Sequence, residues 1–198
     1  RQAQAREDGL KMVKVEPHLS VSGANADRMI FIKPKTDAVL LFSMIHVILN
    51  EKNWREVCDL EFLKKMTNSP YLIGPNGYYM RDKEAGKPLI WDPVDGKPKT
   101  YDDPSIKDFA LEGEYEVGGV EKGLGENIWE HMAIKCKPSF QLLIEAVREY
   151  APESAEKICD IPAGMIREVT EEFLENSSLG ATIAVDGEKL PYRPVAIE

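Results

Sequence analysis

A chain of 198 residues that is 43% hydrophobic and 30% charged has the apolar material for a core and belongs to neither the disordered nor the low-complexity classes. Its 34 acidic and 25 basic residues leave a net charge of −9, which with no Lys/Arg cluster excludes a general nucleic-acid binder, since that role needs basic groups against phosphates. The longest apolar run, Ala38 to Leu49, contains Ser43 and His46 and falls short of the ~20 residues of a bilayer span, so no membrane span is expected.

The chain starts at Arg1 inside a short polar helix that closes at Gly9, a residue suited to left-handed dihedrals. With no signal peptide and no initiating Met, it reads as an internal piece of a longer polypeptide. A strand-like run, Leu10 to Val15, ends at Pro17, and a loop of small residues leads to a second run, Met29 to Ile32, stopped by Pro34. Thr36 and Asp37 stand where an N-cap belongs, ahead of the run from Ala38, which is apolar on nearly every face and so predicts a buried helix. Trp54 to Met66 continues as one amphipathic helix.

Ten Gly and Pro residues fall between Asn68 and Pro104, which marks a loop region with short hairpins. Gly74-Pro75-Asn76-Gly77 and Gly86-Lys87-Pro88 each read as a turn entering a strand. Tyr71, Tyr78, Tyr79, Trp91 and Tyr101 should tack this region onto a larger surface. Helix resumes from Pro138 to Tyr150, and Ser154 to Leu174 forms a helical pair broken at Ile161-Pro162, with Pro162 in the first turn of the second helix. The acidic stretch from Glu145 to Glu175 reads as a solvated face, and Ala181 to Val185 as a strand before an Asp186-Gly187 turn. The expected fold is α/β: a Rossmann-like parallel sheet with flanking helices over 1–67, an inserted loop and hairpin region over 68–137, and a helical pair over 138–198 that returns to a strand of the α/β domain.

The first two strands should deliver their loops to one edge of a parallel sheet, where open α/β sheets bind ligands. Glu16, just past the first strand, can accept hydrogen bonds from a ribose diol or stay solvated. Asp37 can cap its helix or serve a ligand, and His18 lies in the loop where a ligand could meet it. No GxGxxG, Walker loop, HExxH pair or nucleophile elbow occurs. Cys58, Cys136 and Cys159 form neither a disulfide framework nor a zinc template and read as buried thiols. His46 reads as a satisfied core histidine, and His131 fits no metal spacing.

The run from Lys11 through Val15-Glu16-Pro17-His18-Leu19-Ser20, Ala26-Asp27, Ile30 to Ile32, Lys33-Pro34-Lys35-Thr36-Asp37 and Met44 to Ile48 resembles the catalytic subunits of molybdopterin oxidoreductases of the dimethyl-sulfoxide-reductase family. The later run from Tyr150-Ala151-Pro152-Glu153 to Ile161-Pro162-Ala163-Gly164-Met165-Ile166-Arg167 resembles a second signature of the same family. Where that family reads aspartate, arginine and glycine, this chain has Glu16, His18 and Lys35.

The resemblance implies a bis(molybdopterin guanine dinucleotide) cofactor holding molybdenum or tungsten, beside an iron–sulfur cluster held in another part of the polypeptide. Carried over by position, Glu16, Pro17, His18 and Ser20, with Lys35, Thr36 and Asp37, line one guanosine end of that cofactor. No catalytic residue and no metal ligand is assigned within this piece. As partners it implies an iron–sulfur electron-transfer subunit, together with the remainder of the catalytic subunit. The alternative is a freestanding, non-catalytic binding or adaptor module derived from such a subunit.

Overall fold

The computed structural model describes residues 2–21, 23–118 and 133–197. His131 and the end of the loop region around it lie outside the described residues. The chain forms two compact units, one from Arg1–Val57 with Val147–Glu198 and the other from Cys58–Ala146.

Helix α1 (Gln2–Glu7) closes at Gly9, whose φ of +98° is the left-handed geometry expected there. Strands β1 (Val13–Glu16) and β2 (Arg28–Phe31) pair in parallel, with Val13 opposite Arg28 and Glu16 opposite Phe31. The turn 33–36 then leads into helix α2 (Asp37–His46), extended by a π-helical turn, Val47–Glu51. Leu40, Ser43, Met44 and His46 are buried, but Leu41 and Phe42 are each 39% exposed. The apolar run thus buries one face only, and Phe42 is covered in part by Tyr150, whose ring centroid lies 5.0 Å away. The expected single helix from Trp54 to Met66 is two, α3 (Trp54–Val57) and α4 (Leu60–Met66). Asp59 breaks it, because its carboxylate accepts the Phe62 amide at 3.1 Å and starts the second helix afresh.

The second unit carries antiparallel strands. Strands β3 (Leu72–Ile73), β6 (Tyr115–Val117) and β7 (Ile134–Pro138) form one sheet with β7 central. Strands β4 (Leu89–Asp92) and β5 (Lys97–Thr100) form a hairpin, and helix α5 (Ser139–Ala146) follows β7. Leu72, Met80, Leu89, Val117, Ile134 and Cys136 fill the core. The loop aromatics stack on one another here: Tyr71 meets Tyr79 and Tyr101 at 5.5 Å, and Trp91 lies flat on Tyr115 at 4.6 Å. Only Tyr78, at 61%, is exposed beyond half. Apolar rings joined by short hairpins satisfy each other's need for cover.

The chain then returns to the first unit. Helices α6 (Pro152–Cys159) and α7 (Ala163–Asn176) form the expected pair, but Pro162 takes the N-cap position ahead of the first turn. A proline offers no capping oxygen, and the Glu156 carboxylate supplies one to the Ala163 amide at 3.0 Å. The acidic stretch is more than a solvated face, since Arg28 reaches Glu168 at 2.8 Å and Glu172 at 3.6 Å. Strands β8 (Thr182–Val185) and β9 (Glu188–Pro191) pair with each other across the Asp186-Gly187 turn.

The expected Rossmann-like sheet is therefore corrected. Among the described residues the only parallel pair is β1–β2, and the architecture is mixed α/β with several small sheets. Among the described residues of the connection over 17–27 the one helical element is a 3-10 turn, Gly23–Asn25, in place of a crossover helix, and the tight turn at Asp186-Gly187 folds β8 back into a hairpin. The core of this unit joins Ile30 of β2, Ile32 just past it, Leu40 and Met44 of α2, and Ala155, Cys159, Ile161 and Ile166. No described helix is long and apolar enough to cross a membrane.

Candidate functional site

Because β1 and β2 run in parallel, the loops that follow them leave from one edge. Glu16 ends β1 half-buried, with Pro17 and His18 exposed beyond it and Ser20 half-buried again. The Glu16 carboxylate is held locally. Ser20 Oγ donates to Glu16 Oε2, the Gly23 amide donates to Ser20 Oγ at 2.9 Å, and Lys14 Nζ stands 3.8 Å from Glu16 Oε1. Gly23 is buried, and a Cβ there would lie 3.1 Å from Met29 Sδ, 3.2 Å from Glu16 Oε2 and 3.3 Å from Ser20 Oγ.

On the second loop the Lys33 amide donates to the Cys159 carbonyl at 3.0 Å. Lys35 takes a left-handed conformation, φ +68°, which L side chains adopt only at a cost. The resembled family reads glycine at this place, a residue that takes the left-handed conformation without that cost. Thr36 occupies the N-cap position of α2, yet its hydroxyl donates back to the Lys33 carbonyl at 2.7 Å and caps nothing. Asp37 opens the helix, exposed, with no hydrogen bond to its carboxylate among the described residues. The expectation that Thr36 or Asp37 supplies a capping oxygen is corrected: the tight turn at Lys35 directs the hydroxyl to Lys33. Helical bonding starts with the Val39 and Leu40 amides on the Thr36 carbonyl at 3.0 and 3.3 Å, leaving the Asp37 and Ala38 amides ahead of it.

The parallel pair thus brings Glu16, Pro17, His18 and Ser20 to the same edge as the turn carrying Lys35, Thr36 and Asp37. Two carboxylates can accept from hydroxyl or amide donors, and the first amides of α2 with Lys35 suit an anion. His46 lies away from this edge, buried, with Nδ1 on the Val147 carbonyl at 2.8 Å, as a satisfied core histidine. Cys136 and Cys159 are buried in different units, Cys58 is half-buried, and no metal-binding group of His, Cys, Asp or Glu occurs among the described residues.

Sequence reasoning missed Gly23, the Glu156 cap and an ion-pair cluster in which Arg167 grips Glu51 through two bonds of 2.8 Å and Glu153 at 2.7 Å. The Glu156 cap alone left a signal, a helix opened by proline with an acid six residues before that proline. The other two depend on residues brought together by folding.

No family model matches the chain. The alpha chain of the perchlorate reductase of Dechloromonas aromatica is 28% identical over 86% of this chain and 21% of its own length. A sulfite dehydrogenase polypeptide of Allochromatium vinosum is 29% identical over 83% of the chain and 17% of its own length. For the alpha chain of the dimethylsulfide dehydrogenase of Rhodovulum sulfidophilum the values are 28%, 86% and 19%. The chain spans about a fifth of the length of these relatives. These relatives are catalytic subunits of molybdopterin oxidoreductases of the dimethyl-sulfoxide-reductase family, and the chain is similar to them over most of its own length.

Proposed function

We propose that the chain is part of the catalytic subunit of a molybdenum or tungsten oxidoreductase and that its β1–β2 edge takes a guanosine end of a bis(molybdopterin guanine dinucleotide) cofactor. The observation that carries this reading is the parallel register of β1 and β2, which sends both loops to one edge. The residues there fit the group. Glu16 has an oxygen that Ser20 does not use, Asp37 has an uncommitted carboxylate at the helix start, and the leading amides of α2 with Lys35 suit the diphosphate.

In this reading Glu16 accepts from the ribose hydroxyls and Asp37 from the N1 and N2 edge of guanine, a two-bond geometry that adenine cannot offer. Pro17 ends the strand so that His18 flanks the ribose, while Ser20 holds the Glu16 carboxylate beside it. When bound, the cofactor supplies electron or oxygen-atom transfer, and the protein supplies binding and orientation. The relatives' names carry different substrates, so the reading names a reaction class. The remainder of the catalytic subunit, with an iron–sulfur cluster, and an iron–sulfur electron-transfer subunit are the partners it calls for.

The test compares Asp37→Asn and Asp37→Ser in the full protein. Neither variant removes a capping bond, because Asp37 makes none, and neither presents two acceptors to guanine. Losing that partner costs about 1–3 kcal/mol of binding, so both variants should lose cofactor nucleotide, by mass spectrometry of the released cofactor, while the helix persists. Normal occupancy in both would remove Asp37 from the site.

A further inference from the structure

Glu16 is held by a relay whose direction is fixed. The Gly23 backbone N–H can only donate and a carboxylate only accepts, so Ser20 Oγ accepts the first at 2.9 Å and gives its own proton to Glu16 Oε2. This commits one carboxylate oxygen and orients the other. Glu16 Oε1 takes no hydrogen bond among the described residues, has Lys14 Nζ 3.8 Å away, and belongs to a side chain still 24% exposed at the sheet edge.

A glycine at its origin gives the relay its room. A methyl at position 23 would press on Met29 Sδ, Glu16 Oε2 and Ser20 Oγ at 3.1–3.3 Å, closer than ordinary van der Waals contact. The backbone of Gly23 has no positive φ, so the requirement is for space. The Gly23 amide on Ser20 Oγ and the Ala24 amide on the Ser20 carbonyl at 2.9 Å cap the 3-10 turn, and beyond that cap the hydroxyl's own proton goes to a side chain that no other hydrogen bond holds among the described residues.

We infer that Ser20 and Gly23 are positioning residues that fix the Glu16 carboxylate for a 2′-hydroxyl, so that the Ser20–Glu16 pair sets a preference for a ribonucleoside over its 2′-deoxy counterpart. This rests on the guanosine reading of the edge. Ser20 acts through Glu16 and needs no contact with the nucleotide. Ser20→Ala frees the carboxylate to rotate, Ser20→Thr keeps the hydroxyl, and Gly23→Ala keeps every donor and acceptor while displacing them.

The probes are guanosine diphosphate and 2′-deoxyguanosine diphosphate, titrated calorimetrically into the cofactor-free full protein and its variants, with thermal melts alongside. The unsubstituted protein should favour the riboside by at least about tenfold, the worth of one hydrogen bond to a charged acceptor. Ser20→Ala and Gly23→Ala should bring the ratio near one, with binding of the deoxy probe little changed, and Ser20→Thr should restore it. If Ser20→Ala keeps the preference, or Ser20→Thr fails to restore it while melting normally, the positioning role is overturned and the guanosine site stands. If the unsubstituted protein binds neither probe, the site reading fails and this inference with it.

Discussion

The Lys33 amide donates to the Cys159 carbonyl at 3.0 Å, which pins the chain leaving β2 to the last residue of α6. These two residues lie in the two separate stretches that carry the family resemblance. The bond gives that pairing a physical content, since the turn before α2 is braced from α6. Asp160, left-handed at φ +61°, then carries the chain toward Ile161, which is buried against Ile32 and Leu40.

Lys35→Gly should stabilise the protein. The left-handed conformation at φ +68° costs a lysine about 1–2 kcal/mol. Glycine gives back part of that gain, about 0.5–1 kcal/mol, through the entropy of the unfolded chain. The side chain is exposed and its removal empties no core. Urea unfolding should show a higher midpoint at an unchanged slope. An unchanged or lower midpoint would mean that the Lys35 side chain carries a stabilising contact.

Much of the first unit was legible because its signals are local. Pro17 and Pro34 end strands, Gly9 ends a helix, and Ile161-Pro162 separates α6 from α7. What was not legible depends on partners distant in sequence. A run such as Ala38 to Leu49 is apolar all round, and nothing in it says that Leu41 and Phe42 face outward. Strand signals at Leu10 to Val15 and Met29 to Ile32 fixed two strands and their common edge, but a two-stranded pair and a full parallel sheet have the same local pattern. At the site, position supplied Glu16 and Asp37. The clamp through Ser20 and Gly23 required their packing against Met29.

The Arg167 cluster should make stability pH-dependent in the acid range. Hydrogen bonds from Arg167, opposed by partial burial, hold the Glu51 carboxyl below its ordinary value of 4.5. A depressed folded value contributes stability that is present above the unfolded value and is lost as pH falls through the folded one. Arg167→Met should therefore be less stable than the parent at pH 7, with the gap closing below about pH 4. Urea midpoints across that range measure it, and a gap constant from pH 7 to pH 3 would assign the loss to packing.

Burial, with a smaller push from Glu114, drives the Cys136 thiol up to about 11. Relative to an ordinary thiol near 8.5, its thiolate fraction at neutral pH falls by roughly two orders of magnitude. Burial raises Cys58 as well, but Cys58 is only half-buried while Cys136 is 2% exposed. Brief alkylation of the folded protein with iodoacetamide, mapped by mass spectrometry, should label Cys58 first and leave Cys136 unmodified. Equal labelling of the two would show that the β6–β7 region opens readily.

The second unit should depend on Asp92 over a wide pH range. Asp92 and Lys99 meet at 2.8 Å with side chains 0% and 3% exposed. Burial pushes the Asp92 carboxyl upward, but the Lys107 amide, the Lys99 ammonium and the Val94 and Asp95 amides outweigh it and hold the group well below the carboxylate range. By the same sign rule, its contribution persists from neutral pH well into acid, where the Glu51 contribution fades. Asp92→Asn should lower the melting temperature, because it leaves a buried ammonium facing a neutral amide. The loss is limited by Asp95, which still holds Lys99 Nζ at 2.6 Å, and by the Ser105 carbonyl at 2.7 Å. Adding Lys99→Met should recover part of it, since the charge left behind is then gone. Thermal melts of the full protein at pH 5 and pH 7 decide the matter. If the double variant melts no higher than Asp92→Asn, Asp92 acts by ordering the 92–95 turn through the Val94 and Asp95 amides, and the ion pair is secondary.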